Sequence, residues 1–481
     1  MHRWDASGTS SITNYSYAYD FSLYSLFSRL DYAYDDRYLL SATVRRDGSS
    51  QFGPEKRFGV FPSFSVGWRV SNEAFLKDVT QINDFKLRGS WGKLGSQNNV
   101  GTNNAYTLFN SNFQNSYYDI NGTSNSTVQG FYRASNGNPK TGWEQDIITN
   151  IGFDATIFNK IDVSVEWYKK SINGLLFPQP LPLTAGGADA PTINIGDIQN
   201  KGWDITAACR GGNSEQFQYN IGVNVTAYKN TVVNIPGEYF DVASSSLGNL
   251  VRNQVGHPVG SFFGYQVERL FRDDRDVSSS PTQEDAAPGR FKYRDVNGDG
   301  KITPDDRTFF GNPNPDFTYG VNLGANYKSF DFSAIFYGSK GNDVLNHVRY
   351  YTDFFGSFIG GKSNDLLYNS WNPQNLDAKT PKAELSNTFS TSGVANSYYM
   401  ENGSFLKCRS IILGYTIKPT VLKRLGINEF RAYIQAANLF TITKYKGLDP
   451  ELSGSSSTFG IDYGNYPNNQ KNLIVGLNLS F

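Results

Sequence analysis

The sequence runs to 481 residues, several times an ordinary soluble domain unless it forms one large barrel or a repeat array. Its 44 Lys and Arg balance 44 Asp and Glu, so the charge excess that favours nucleic acid or an anionic membrane surface is missing. Aromatic residues reach 15%, glycine stands at 47, and no run of about eighteen apolar residues occurs, which favours β-structure and excludes helical membrane spans.

Taken in chain order, the first alternation is Phe21–Ala33, with Leu26, Leu30 and Tyr32 on one side and Arg29 and Asp31 on the other. A tight turn at Tyr34-Asp35-Asp36-Arg37 leads into Tyr38–Arg46, and a loop over 46–56 precedes strands around Val60–Val70 and Phe85–Gly92. The stretch 95–142 is rich in Asn, Ser, Gly and Tyr and lacks periodicity. Strands resume at Thr149–Ile157 and Val163–Tyr168, separated by a turn at Asn159-Lys160-Ile161. A Pro- and Gly-rich loop over 171–201 follows, then strands at Trp203–Arg210 and Phe217–Thr226. A long excursion, 230–314, ends at the strand Phe317–Asn326, and a turn at Lys328-Ser329 starts Phe330–Lys340. After the loop 341–403 come strands at Ser404–Ile417 and Glu429–Phe440, the loop 441–471, and a last strand, NLIVGLNLSF. In that strand Leu473, Val475, Leu477, Leu479 and Phe481 make one apolar row, because successive side chains point to opposite faces.

About thirteen strands result, each near the length a tilted strand needs to cross a bilayer. The connections read as strictly alternating, short then long, which is the plan of an outer-membrane barrel with short periplasmic turns and long external loops. Ser261–Phe271 has strand character, but placing it in the barrel breaks the parity, so it is assigned to an external loop. The expected fold is therefore all-β, a transmembrane antiparallel β-barrel. The rival is a soluble β-propeller or sandwich array, which would show a fixed repeat; none is found. Residues 1–20 have no charged start followed by an apolar core and so do not form a signal peptide; the outer-membrane reading expects upstream sequence.

Several blocks give the chain a family resemblance. They are Arg37–Trp68, Asp84–Gly95 (DFKLRGSWGKLG), Phe291–Gly320 (FKYRDVNGDGKITPDDRTFFGNPNPDFTYG), Asn402–Tyr415 and Ala436–Phe440 (AANLF). In this order the chain resembles the carboxy-terminal barrel portion of a SusC/RagA-like TonB-dependent outer-membrane transporter. The resemblance implies the last 13 strands of a 22-stranded barrel, with the plug, the TonB-contacting segment and the first strands absent. It also implies the outer membrane of a Bacteroidetes-like Gram-negative cell and contact with its lipid. The partners implied are a SusD/RagB-like surface lipoprotein, the TonB complex through the missing plug, and a glycan or peptide substrate. An isolated thirteen-stranded piece would carry unpaired edges and is expected not to form a closed monomeric barrel.

One motif carries explicit chemistry. Asp295, Asn297 and Asp299 at positions 1, 3 and 5, Gly300 at 6, the Lys301 carbonyl at 7 and Asp306 at 12 follow the calcium-loop pattern. Ca²⁺ takes six or more hard oxygens, and alternating Asx residues wrap them around one point; Asp306 stands where the longer Glu is usual. The bland reading is an Asx/Gly turn without an ion, and the expected role is structural bracing of an external loop. Loop aromatics, among them Tyr117, Tyr118, Tyr132, Tyr350 and Tyr351, are candidates to stack on a substrate or to pack loop cores of their own. Inward-facing Arg45, Lys86, Arg88, Glu166, Asp204 and Arg210 suit lumen ion pairs. Cys209 and Cys408, with no CxxC, signal neither zinc nor a disulfide framework. Catalysis has little support: His2, His257 and His347 all fall in irregular segments, and GxSxG, HExxH and Walker motifs are missing. Three functions stand: an active transporter, a passive porin-like channel, and a surface receptor or adhesin.

Overall fold

The computed structural model describes residues 18–480 apart from 19, 112–115, 123–126, 180, 182–183, 185, 214–215, 418–425, 453, 456–457, 465–466 and 468. The terminal aromatic Phe481 and much of the link 418–428 lie outside the described residues. Thirteen long strands follow one another: β1 (Leu23–Tyr34), β2 (Tyr38–Ser49), β3 (Phe58–Arg69), β4 (Ile82–Ser96), β5 (Glu144–Ile157), β6 (Ile161–Asn173) and β7 (Asp197–Asn213). They continue with β8 (Phe217–Asn234), β9 (Phe317–Tyr327), β10 (Phe330–Lys340), β11 (Phe405–Ile417), β12 (Glu429–Ala437) and β13 (Asn472–Ser480). All belong to one sheet in which each strand hydrogen-bonds to its neighbours in sequence order, with Thr441–Thr443 paired alongside β11.

The register explains the alternation. Tyr219, Ile221 and Val223 of β8 face Ala325, Leu323 and Val321 of β9, while Asn220, Gly222 and Asn224 face Gly324, Asn322 and Gly320 on the other side. On that polar side the Asn220 and Asn224 amides occupy the space where a Cβ on Gly324 or Gly320 would sit, so bulk on one strand requires glycine on the next. The apolar side is open to the surroundings; Leu473 and Val475 keep 75% and 72% of their surface. Exposed apolar rows repeated along a sheet mark a surface meant for something other than water.

The tight turns are built for hairpins. Asp35 and Asp36 have φ of 49° and 50°, Phe158 and Asn159 have 54° and 53°, and each turn closes by a backbone bond, Arg37 N to the Tyr34 carbonyl and Lys160 N to the Ile157 carbonyl. Positive φ at both central residues gives the twist that antiparallel strands need. One expectation fails here: connection lengths do not alternate strictly, because 70–81 is longer than 50–57. The chain at 70–81 coils through consecutive turns, with Glu73 N bonding to the Val70 carbonyl and Leu76 N and Lys77 N to the Glu73 carbonyl.

Two compact units divide the chain. The first is 1–69, 87–151 and 169–199. Its loops share a small core of Phe52, Val100 and Leu176 against Trp143. Asn104 ties them together, its amide donating to the Thr192 carbonyl and to Thr141 Oγ1 while its oxygen accepts from Thr192 N.

The second unit is 70–86, 152–168 and 200–481. The excursion read from sequence as irregular from residue 230 is instead built: β8 runs on to Asn234. Beyond it Tyr239–Ser245, Gly248–Gln254, Phe262–Gly264 and Thr308–Gly311 form a separate four-stranded sheet. Phe262–Gly264 and Val267–Leu270 pair only within loop sheets, so Ser261–Phe271 stays outside the main sheet as its parity requires. A further small sheet joins Asp343–Asn346 to Met400–Asn402 and, in parallel, to Ile461–Asp462. One apolar core runs through three connections: Leu250, Phe262, Phe291 and Tyr293 from 235–316, Leu345, Tyr350 and Tyr399 from 341–404, and Ile461 from 438–471.

Candidate functional site

Three of the six inward charges expected to pair do so within their own units: Lys86 with Asp154 at 2.9 Å, Arg210 with Asp162 at 3.0 Å and Arg45 with Asp47 at 2.6 Å. They act as wall ion pairs.

The richer chemistry lies in the loops of the second unit. Where β10 ends, Gly341 at φ 86° turns the chain into Asp343–Asn346, and His347 then opens a helical turn, α1 (Val348–Thr352). That turn sets Arg349 one turn before Asp353, at 2.9 Å. The Arg349 guanidinium lies 3.8 Å over the Tyr398 ring and donates to the Tyr398 carbonyl at 2.7 Å, and the Tyr398 hydroxyl donates to Asp353 at 2.7 Å. A second short helix, α2 (Asn364–Asn369), is capped by Ser363 and presents Asp365, which accepts from Asn369 at 2.9 Å and from Lys446 Nζ at 2.8 Å. The Lys446 and Asn369 contacts hold the Asp365 carboxyl below the usual range. Lys362 satisfies three carbonyls, those of Tyr351, Phe354 and Phe358, at 2.6–2.8 Å.

These groups surround a cavity of about 870 Å³, within the range of small-molecule sites. Its charged lining comprises Arg349, Lys362 and Lys446 against Asp353, Asp365, Glu401, Asp449, Glu451 and Asp462, a surplus of acid. Two of the acids are held by Lys407 from β11, which is fully buried and reaches Asp449 at 3.1 Å and Glu451 at 2.6 Å. A neighbouring cavity of about 440 Å³ shares Arg349, Asp365 and Lys446 with the first.

Beside this cavity His347 is only 2% exposed and packed among Tyr350, Tyr351 and Tyr463, with ring centroids 5.1–5.5 Å apart. Neither ring nitrogen has a hydrogen-bond partner among the described residues. Burial therefore lowers its pKa below the ordinary 6.5 or so. The unfolded loop takes up the proton at higher pH than the folded loop does. Stability is then full above about pH 6.5 and falls as acid takes the pH down toward the depressed value. Corrected for the intrinsic slowing of exchange in acid, the protection factors of amides over 343–353 are expected to fall between pH 7.5 and 5.5 more in the native protein than in His347→Phe; an equal fall would remove His347 as the cause.

The aromatic candidates divide. Tyr350 is buried in the loop core and Tyr351 packs on it, so these two are scaffold and not a stacking platform. Tyr118 is exposed on a two-residue strand paired with Thr127–Val128, Tyr132 is half-buried opposite Asn110, and Tyr117 is half-buried. All three lie in the first unit. The cavity residues Arg349, Asp365 and Lys446 were missed from sequence, since they are scattered over about a hundred positions without a spacing pattern. The one available signal was Lys407, a charge inside an otherwise apolar stretch, FLKC.

The calcium-loop residues close on their own backbone. Asp295 accepts from Gly298 N and Gly300 N, Asn297 from Asp299 N, and Asp299 from Lys301 N, at 2.7–3.0 Å. Gly300, at φ 81°, makes the sharp bend that the pattern requires of it. Asp306 is fully buried and accepts from Val296 N at 2.9 Å and Thr303 N at 2.7 Å, completing a capping box. Burial alone would raise its carboxyl, but the N–H bonds from Thr303, Val296 and Asn297 outweigh that and hold it below the usual range. Among the described residues no group of three or more His, Cys, Asp or Glu side chains is placed to hold a metal ion. The donors are the hard oxygens that Ca²⁺ prefers, yet in this geometry their first partners are N–H groups.

Against known proteins, the profile of the TonB-dependent receptor-like β-barrel family matches residues 3–328. The chain belongs to that family. It is 30% identical over 480 residues to TonB-dependent receptor P3 of Formosa agariphila, covering 97% of this chain and 46% of that protein. It is 31% identical over 482 residues to TonB-dependent receptor SusC of Bacteroides thetaiotaomicron, covering 97% and 44%. The solved RagAB peptide transporter shares the fold, with a TM-score of 0.80 at 24% identity over 96% of this chain and 47% of that one. The chain thus spans a little under half the length of the relatives it matches. Family membership makes the thirteen-stranded sheet part of a TonB-dependent receptor barrel, and the family implies a Gram-negative outer membrane. Among the described residues no helix is long and apolar enough to cross a membrane, which is silent on strands.

Proposed function

We propose that this chain is the carboxy-terminal barrel wall of an outer-membrane importer that takes up an oligosaccharide or peptide, driven through TonB and closed by a SusD-like lipoprotein. The support is the family membership, the relative named SusC, and the fold shared with the RagAB peptide transporter. The observation that carries it is the loop assembly of the second unit, whose shared core brings the charged lining of the 870 Å³ cavity together. A passive channel gains nothing from a cored loop assembly around a charged cavity. The relatives are named as receptors and a transporter, which fits a reading without catalysis.

The test follows uptake of labelled oligosaccharides and peptides by cells carrying the intact gene, with and without a protonophore. Uptake that stops when the proton gradient collapses is expected. Uptake indifferent to the gradient would mean a passive channel, and surface binding without uptake a receptor or adhesin.

We also propose that the 295–306 loop takes up Ca²⁺ weakly, at about 10⁻⁴–10⁻³ M, by drawing the Asp295, Asn297, Asp299, Lys301 carbonyl and Asp306 oxygens off their N–H partners. Supporting it is the oxygen spacing and the bend at Gly300. Calorimetry of the native protein is expected to show uptake that Asp295→Asn abolishes; a flat trace at millimolar Ca²⁺ leaves the loop a self-sufficient Asx turn.

A further inference from the structure

Two of the loop connections meet along a short seam. Leu345 and Asn346 pair in parallel with Ile461 and Asp462. Across the seam Leu345 N donates to the Gly460 carbonyl at 2.9 Å, and His347 N donates to the Asp462 carbonyl at 3.0 Å. The His347 ring continues the contact, set against Tyr463 of 438–471 and against Tyr350 and Tyr351 of its own connection. The seam also borders the 870 Å³ cavity, which Val348, Arg349 and Thr352 line from one side and Asp462 and Gly464 from the other.

His347 is the weak point of this closure. Both ring nitrogens are buried and unbonded among the described residues, so the closed seam offers an imidazolium neither water nor a partner. The rings packed on it are tyrosines, and the charged groups close to it along both connections are engaged elsewhere. Arg349 bonds Asp353 and the Tyr398 carbonyl, and Glu401 accepts from Asn346 Nδ2 and Lys446 N. Asp462 accepts from the Tyr445 hydroxyl and Gly464 N. A buried charge without a partner is expensive, so the ring takes up a proton by moving to water. The connection 438–471 is fastened separately at 449–451, where Lys407 of β11 holds Asp449 and Glu451. The stretch beyond residue 451 can therefore swing from the seam while 449–451 stays on the sheet.

We propose that His347 is a proton-operated latch: the neutral ring closes the seam between 341–404 and 438–471, and protonation parts it, opening the cavity along that side. This is a control on access, distinct from import itself, and it holds whatever the cavity takes up. The open form binds its proton near the ordinary histidine value of about 6.5, and the closed form only at lower pH. Opening is thus favoured by acid and gains at most about tenfold between pH 7.5 and 5.5.

The experiment follows amide exchange, corrected for its intrinsic pH dependence, in outer-membrane vesicles carrying the intact protein, at steps from pH 7.5 to 5.5. Protection at 343–347 and at 460–464 is expected to fall together, severalfold and with one midpoint, while 405–409 on β11 holds. The coupled loss at 460–464 is what separates a latch from a merely strained residue. In His347→Phe both segments should stay protected throughout. If the larger ring does not seat, shown by protection already lost at pH 7.5, His347→Leu takes its place in the same comparison. No fall in the native protein, or an equal fall in the neutral variant, would overturn the latch. A fall at 343–347 with 460–464 unchanged would mean that the ring moves without parting the seam, and a matching fall at 405–409 would mean that the assembly unfolds as a whole; either result also overturns it.

Discussion

Lys407→Met is expected to unseat the connection 438–471 from the sheet, lowering its local opening free energy by about 3–5 kcal/mol, the cost of breaking a buried ion pair from one side. Lys407 is fully buried on β11 and pairs with Asp449, itself 4% exposed, which has no other ion-pair partner among the described residues; Glu451 retains Arg409. Removing the ammonium leaves the Asp449 carboxylate in the interior with one N–H, that of Glu451, on its Oδ1. Hydrogen exchange over 444–462 should accelerate by about two to three and a half orders of magnitude, since each 1.4 kcal/mol or so is tenfold. Lys446→Met breaks an exposed pair and should change the same amides by less than about 1 kcal/mol. Equal effects of the two substitutions would mean that the buried cluster does not anchor the loop.

Phe291→Ala is the second large effect, about 3–5 kcal/mol for emptying a fully buried aromatic site. The ring sits 4.9 Å from Tyr398 and 6.1 Å from Phe354, both from the connection 341–404, and 6.2 Å from Tyr293 in its own. Protection should therefore fall in 341–404 as well as in 235–316. Leu385→Ala, at a side chain 81% exposed, serves as the surface control and should shift stability by no more than about 0.5 kcal/mol. Loss confined to 235–316 would show that the two connections open independently.

How far the sequence could be read depended on whether the informing contact is local. Strand faces are a period-two property, so β10 was bounded correctly from its alternation, and the side of Leu473, Val475 and Leu477 followed directly. The ends of β7 and β8 were drawn too short because the strands run past the apolar band into polar residues such as Asp197 and Asn234, where alternation of apolarity fades while backbone pairing continues. Loop architecture was hidden for a different reason. Phe262 packs with Phe291, Tyr399 and Ile461 in one core, contacts spanning up to two hundred residues that no short window carries. The cavity was illegible in the same way, since Asn346 and Asp365 meet Lys446 only after two connections, 341–404 and 438–471, have folded. Tyr350 and Tyr351 were visible as aromatics, but whether an aromatic serves a ligand or a core is decided by neighbours far along the chain.

The common core of 235–316, 341–404 and 438–471 has a consequence for how such proteins diversify. A loop that packs only on itself can be exchanged between relatives as a cassette. Here Leu345 and Ile461 are shaped to fit residues supplied by the other connections, so a single loop imported by recombination brings side chains cut for a different interior. The three connections are expected to be inherited as a set, and chimeras that respect that set should reach the outer membrane intact where single-loop chimeras are degraded. New substrate range in such a protein then arises either by exchange of the whole assembly or by point changes at the cavity wall, such as Asp365 and Lys446, that leave the shared core untouched.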